Sequence, residues 1–292
     1  MMRFQYLPKS TLHVCNKQMA CSDKSYERLV KKEKIHRTQL EIIKMLLQYR
    51  LLTKEMISFC VSEDDLQKQL DALSEYGLII KQFYEGRIEN EQVKSCTFYA
   101  VSPHLPNACK EAIGEGRYSD YVWSREIRIE NAMAILSFNQ FHFCLKHIVP
   151  RKYIQTQVEY QIGQYTIDGR YCLKNKGRRY GYSHLLVISV RDYGQQNMDI
   201  VSMIKWIDQF YRENPQKGKL PWYILLCENE AQCANINRHF SWEDSIEHSP
   251  LYYVLDSDVQ YGENPLHVLQ MFHFKESERD ICSEVYSVEN WW

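Results

Sequence analysis

Lys24, Arg28, Lys31, Lys32 and Lys34 stand within a short stretch, interrupted by Glu27 and Glu33. Such a run is most often a solvated face, and it also suits an arm that touches phosphate. Further cations stand at Lys68, Arg87 and Lys94, and in Lys174-Asn175-Lys176-Gly177-Arg178-Arg179, which reads as a basic hairpin turn. Contacts from such residues go mostly to phosphate, which positions a protein on duplex without reading its sequence. The 10 cysteines offer less. None sits in a Cys-x-x-Cys pair, and the spacings of Cys15 to Cys21 and of Cys227 to Cys233 are poor for zinc. His13, Cys15, Cys21 and His36 could in principle gather around a metal, but they read better as scattered tail and core residues. No metal or other cofactor is expected. Gly-x-Ser-x-Gly, Walker, Gly-x-Gly-x-x-Gly and His-Glu-x-x-His signatures are absent. A Cys–His catalytic pair stays open, because its partners need only meet in space.

Composition bounds the rest. The chain has 292 residues, 36 Lys+Arg against 37 Asp+Glu, and a net charge of −1. That length suggests two domains. With 45% apolar and 25% charged residues it reads as a soluble globular protein, not a disordered or low-complexity chain. A charge near zero also excludes a strongly basic, histone-like DNA binder. The sum is uneven along the chain: residues 1–110 carry +4, residues 111–150 carry −1 and residues 151–292 carry −4. No apolar run is long enough to span a bilayer and no targeting segment is visible, so the expected location is cytoplasmic, with reduced cysteines and no membrane partner.

The elements that must position these residues follow from periodicity. Residues 1–34 read as a basic extension. In 35–103, Leu40, Ile43 and Leu47 mark one helix, and Thr53 caps a short helix carrying Met56 and Ile57. Ser62 to Asp65 opens a third helix with Leu66, Leu70 and Leu73 on one face, and Gly77 ends it. Two strands follow, around a polar segment from Glu85 to Lys94. Residues 104–124 read as a linker, and residues 125–148 as a helix. From Tyr153 the order is three strands, the last over His184–Arg191, a helix over Asp199–Asn214, a strand over Trp222–Cys227, a helix over Glu230–Phe240 and a strand over Leu251–Leu255. Met271 to Phe274 is a candidate last strand. Residues 276–292, ending in Trp291-Trp292, are left as a tail.

Leu70-x-x-Leu73-x-x-Tyr76-Gly77-Leu78-Ile79, followed by Thr97-Phe98-Tyr99-Ala100-Val101, resembles the pattern of winged-helix transcription regulators. The would-be reading helix, 62–76, holds Glu63, Asp64, Asp65, Asp71 and Glu75 against Lys68 alone, a poor match to the phosphate rows of a groove. Residues 125–275 resemble the restriction-endonuclease-like fold. The resemblance implies a carboxylate at Asp168, in Ile167-Asp168-Gly169, with Glu159 in the strand before, and a Glu-x-Lys motif where Ser189-Val190-Arg191 stands. In such nucleases the carboxylates hold Mg²⁺ against a phosphodiester. Serine cannot replace a carboxylate in neutralising that charge, so Glu159, Asp168 and Arg191 read as a vestigial site. A winged helix joined to such a scaffold resembles the replication-relaxation family of plasmids and conjugative elements, with Lys205 and Tyr211 of the following helix standing where that family has K-x-x-x-Y, though six residues apart and not four.

The expected fold class is therefore α+β: an N-terminal winged helix-turn-helix plus a C-terminal α/β restriction-endonuclease-like domain. The expected function is a non-catalytic, double-stranded-DNA-binding regulator or accessory factor of a mobile element. One alternative is a protein-interaction adaptor whose winged helix docks a partner or dimerises. Another is a Mg²⁺-dependent nuclease using Glu159 and Asp168.

Overall fold

The computed structural model describes residues 10–15, 20–61, 65–88, 91–114, 129–174, 182–191, 195–241, 251–259, 263, 265–274 and 281–286. Among them are eight α-helices and two sheets, a mixed α+β chain. Its contacts divide the chain into an N-terminal unit, Gln5–Asn139, and a C-terminal unit beginning at Gln140.

The N-terminal unit begins with strand β1 (Thr11–Val14) and helix α1 (Asp23–Lys31), so the span read as an extension carries regular structure. Helix α2 (Arg37–Tyr49) buries Ile42, Ile43 and Leu46, the apolar face set by its periodicity. The Asn139 side-chain amide donates to the carbonyls of Tyr49 (2.9 Å) and Leu51 (2.7 Å), which satisfies acceptors left open where α2 ends. Thr53 caps α3 (Lys54–Ser58) by accepting from the Met56 amide at 3.3 Å. Helix α4 (Leu66–Glu75) buries Leu66, Leu70 and Leu73. It stops at Gly77, whose φ of +71° lets the Leu78 amide return to the Leu73 carbonyl at 3.0 Å.

Strand β2 (Ile79–Ile88) is the hub of the first sheet. It pairs antiparallel with β1, with β3 (Glu91–Lys94) and with β4 (Phe98–Val101). Ser95 keeps the ladder closed between β3 and β4: its amide donates to the Tyr84 carbonyl and its hydroxyl accepts from the Tyr84 amide, each at 2.8 Å. Leu52, between α2 and α3, bridges to Tyr99 of β4 through two backbone hydrogen bonds of 3.1 and 2.8 Å. Helix α5 (Asn107–Ile113) lies inside the span read as a linker.

Helix α6 (Ile129–Ile148) runs across the division between the units. Ala132, Met133, Leu136, Phe141, Cys144 and Leu145 are wholly buried, so its sequence shows no polar face of the kind a surface helix carries.

In the C-terminal unit, β5 (Ile154–Ile162), β6 (Tyr165–Lys174) and β7 (Tyr182–Ser189) form an antiparallel meander. Helix α7 (Gln195–Glu213) carries the chain to β8 (Trp222–Cys227), and α8 (Glu230–Ser241) carries it on to β9 (Leu251–Leu255), both parallel to β7. Strands β10 (Leu269–Phe274) and β11 (Ile281–Tyr286) complete a seven-stranded sheet of order β11-β10-β9-β8-β7-β6-β5. Strand β11 lies in the span read as a tail; Trp291 and Trp292 lie outside the described residues. Leu185, Leu186 and Val187 are fully buried, as expected of a strand covered on both faces. Leu186, Tyr223, Leu225 and Tyr253 of the sheet pack with Ile204, Ile207 and Tyr211 of α7 and with Cys233 and Ile236 of α8. Gly163 turns β5 into β6 with φ +57°, and a Cβ there would lie 2.1 Å from Cη2 of Trp206 on α7.

Candidate functional site

Helix α1 sets out the first candidate surface. Ser22 caps it by accepting from the Ser25 amide at 3.2 Å. The Asp23 carboxylate accepts from the Ala108 amide at 3.2 Å, tying the helix start to α5. Tyr26 is buried, and that burial pushes its phenol well above its ordinary range. With Tyr26 inward, Lys24, Arg28 and Lys31 follow at spacings of four and three, so they share one face, and all three are exposed. Lys32 follows them at the C-cap, also exposed. None of the four makes an ion pair with another described residue. Cations in the last turn also suit the negative end of the helix dipole.

Other predicted cations are placed differently. Lys68 is held by Asp65 at 2.8 Å, and Asp71 lies 4.0 Å from Lys81 and accepts from the Gln67 amide at 2.9 Å. The exposed face of α4 is therefore acidic, through Asp65, Asp71 and Glu75. Lys94 lies 3.7 Å from Glu85 and 5.2 Å from the centre of the Phe83 ring. His13 stacks on the same ring and reaches Glu85 at 3.0 Å. Lys174 ends β6 and is exposed. Lys176, Arg178 and Arg179 lie outside the described residues, as do Glu63, Asp64 and the side chain of Arg87.

The second candidate is the carboxylate pair. Strand pairing sets Glu159 opposite Asp168, between the pairs Val158–Gly169 and Tyr160–Ile167. Glu159 has φ +54°, a left-handed conformation uncommon outside glycine. Pairing of β6 with β7 ends at Gly169–Val187. The Val190 amide turns to the Leu226 carbonyl of β8, so the Ser189 amide faces the side that β6 has vacated. The Asp168 carboxylate takes that amide at 2.6 Å, in place of the missing backbone acceptor. Burial pushes the Asp168 carboxyl up to about 6, the Ser189 bonds and the Arg191 charge pull it down, and the Glu159 charge adds to the rise. Glu159, Asp168 and Ser189 are thus brought together.

Arg191 is committed elsewhere. Its guanidinium donates to the Val190 carbonyl (2.6 Å), the Leu226 carbonyl (3.0 Å) and the Asp256 carboxylate (2.7 Å). Arg191 and Asp256 are 2% and 3% exposed, so this is an internal ion pair at the ends of β7, β8 and β9. Asp256, in Asp256-Ser257-Asp258 after a short strand, was not singled out in the sequence. Among the described residues no group of three or more His, Cys, Asp or Glu is placed to hold a metal ion, and His13, Cys15, Cys21 and His36 form none.

Sequence reasoning also missed a cluster at the other end of β7. Cys172 and His184 are paired across β6 and β7, with Sγ 3.6 Å from Nδ1. Arg170 donates to the same nitrogen at 3.1 Å and lies over the Tyr160 ring. Despite the guanidinium, burial pushes the Cys172 thiol up, so it stays protonated at neutral pH and is not an activated nucleophile. Alternation of β-strand faces was the signal that could have joined Arg170 to Cys172. Among the described residues no helix is long and apolar enough to cross a membrane.

No protein-family model matches the chain, and neither the curated proteins nor the solved structures include a significant match to it.

Proposed function

We propose that the chain is a non-catalytic DNA-binding protein that docks duplex through α1. The observation carrying this reading is the exposed face of Lys24, Arg28 and Lys31, continued by Lys32. The order α2, Leu52 bridge, α3, α4, β2, β3, β4 is compatible with a winged helix, and α6, β5, β6, β7, α7, β8 with a restriction-endonuclease-like core. Both support the reading, and both fit the resemblance to replication-relaxation proteins, which points to a regulator or accessory factor of a plasmid or conjugative element. The absence of cutting rests on Ser189 in the place of a carboxylate and on an Arg191 engaged by Asp256. The acidic outer face of α4 turns the usual reading helix away from phosphate.

The test is duplex binding by the full chain, followed by fluorescence anisotropy. Each phosphate neutralised contributes about −0.9 to the slope of log affinity against log salt, so three contacts imply roughly a 40-fold loss between about 50 and 200 mM. Charge reversal of Lys24, Arg28 and Lys31 together should flatten that slope by nearly three units, by the same rule. Affinity indifferent to salt would sink the proposal. A second reading, docking of a protein partner through α4, is favoured by exposed Asp65, Asp71 and Glu75. Reversing Asp65 and Glu75 to lysine leaves duplex binding nearly unchanged if α1 is the contact, and tightens it if α4 faces DNA.

A further inference from the structure

The cluster beside Cys172 has a second half. The guanidinium of Arg170 only donates, so Nδ1 of His184 accepts and the ring proton sits on Nε2. Burial and the Arg170 charge also lower the His184 pKa, which keeps the ring neutral. Nε2 looks toward Gly218, where a Cβ would lie 3.8 Å away. Gly218 has φ +126° and follows the turn Pro215–Lys217, and its sequence neighbours Lys217 and Lys219 are both exposed. Lys174 lies two residues beyond Cys172 on β6, about 7 Å along the strand and on the same face. The acid nearest in sequence, Glu213, accepts from the Gln209 amide at 2.8 Å. Residues 151–292 carry −4 overall, so this gathering of donors is not a general excess of cations.

We propose that Lys174, His184, Lys217 and Lys219 form a second contact for the phosphodiester backbone of duplex DNA, with Arg170 as the positioning residue that holds the His184 proton outward. This rests on the DNA-binding reading and adds a separately built contact in the C-terminal unit. Gly218, which stands between the two lysines in sequence, brings no side chain against Nε2. Neutral His184 supplies one directed hydrogen bond, and the lysines supply charge.

The experiment compares the full chain with the K217E/K219E, H184F and H184Q variants and with the K24E/R28E/K31E variant, using one labelled duplex. Circular dichroism and thermal melting confirm that each variant is folded. Loss of two phosphate contacts predicts a K217E/K219E salt slope flatter by about two units and an affinity down roughly 60-fold near 100 mM. H184F should weaken binding, and H184Q, which keeps a donor, should restore most of it. The ¹⁵N signal of His184 Nε2 should shift with duplex and lose its single tautomer in the R170M variant, which a merely space-filling Arg170 would not cause. K217E/K219E binding like the wild type, with the same slope, overturns the proposal. So does an equal Nε2 shift with inorganic phosphate at matched phosphate concentration, which would mark a site for free anions. If K24E/R28E/K31E binds normally while K217E/K219E is weakened, the α1 reading falls and this contact stands. If the wild type binds no duplex, both fall.

Discussion

The Arg191 guanidinium makes three hydrogen bonds, one of them to a carboxylate buried with it. A cation kept for catalysis would face solvent or substrate, and its removal would leave stability largely intact. A buried pair behaves otherwise: deleting one partner strands the other charge out of water, at a cost of about 3–5 kcal/mol. Arg191→Ala should therefore lower the free energy of unfolding by an amount of that order, read from the midpoint and slope of urea unfolding. Loss within about 1 kcal/mol would return Arg191 to solvent and reopen a catalytic role. Asp168 and Ser189 were legible as a pair only through the nuclease-like motif that the sequence resembles, and the β6–β7 pairing brings them together. Asp256 was not legible. It reaches Arg191 only because β8 and β9 lie parallel to β7, and parallel neighbours are joined by crossovers whose partners no local pattern gives away.

Among the elements, the β5–β6 hairpin depends on one residue. Gly163 must take a left-handed φ and must also let Trp206 approach to 2.1 Å of where a Cβ would stand. The ring cannot move freely, since it stacks on Phe210 and meets Tyr165 edge-on. Gly163→Ala should cost about 1–3 kcal/mol through overpacking, with strain at positive φ adding to it. Melting temperature reports the loss, and Trp206 fluorescence should change with it. The long core elements were legible because their apolar spacing is sustained: α2, α4, β7, α7 and β8 fall close to where periodicity places them. Strand β1, at four residues, and β11 were not. Each pairs at a sheet border, and each is a short run without a sustained apolar alternation in its sequence. Helix α1 was legible only as charge. Its structural role comes from Tyr26 and Asp23, one apolar and one capping residue among many polar ones.

For the whole molecule, the half-buried Asp168 and the buried His142 titrate in opposite senses. Asp168 has its pKa raised to about 6 in the folded protein, so folding favours its protonated form. That contribution is fully present below the ordinary carboxylate range, declines as pH rises through about 6, and is absent at neutral pH. His142 of α6 is buried and shares a 2.8 Å hydrogen bond with Tyr171. Desolvation, with the Lys146 charge, lowers its pKa to about 3, so folding favours the neutral ring. Its contribution is present above the ordinary histidine range and is lost as pH falls toward 3. Between about pH 6 and pH 4 the two slopes offset, each near 1.4 kcal/mol per pH unit at most. Removing either group exposes the other. Asp168→Asn keeps an acceptor for the Ser189 amide without a charge to bury, so it should melt higher than the parent at pH 7.5 and converge with it near pH 4. His142→Gln should abolish much of the acid-side loss, giving a melting temperature that rises on acidification from pH 6 to pH 4 relative to the parent. The measurement is a set of melting curves across that range for the parent and both variants, read as differences so that all other titrating groups cancel. An Asp168→Asn advantage that grew toward acid would reverse the sign derived from its burial.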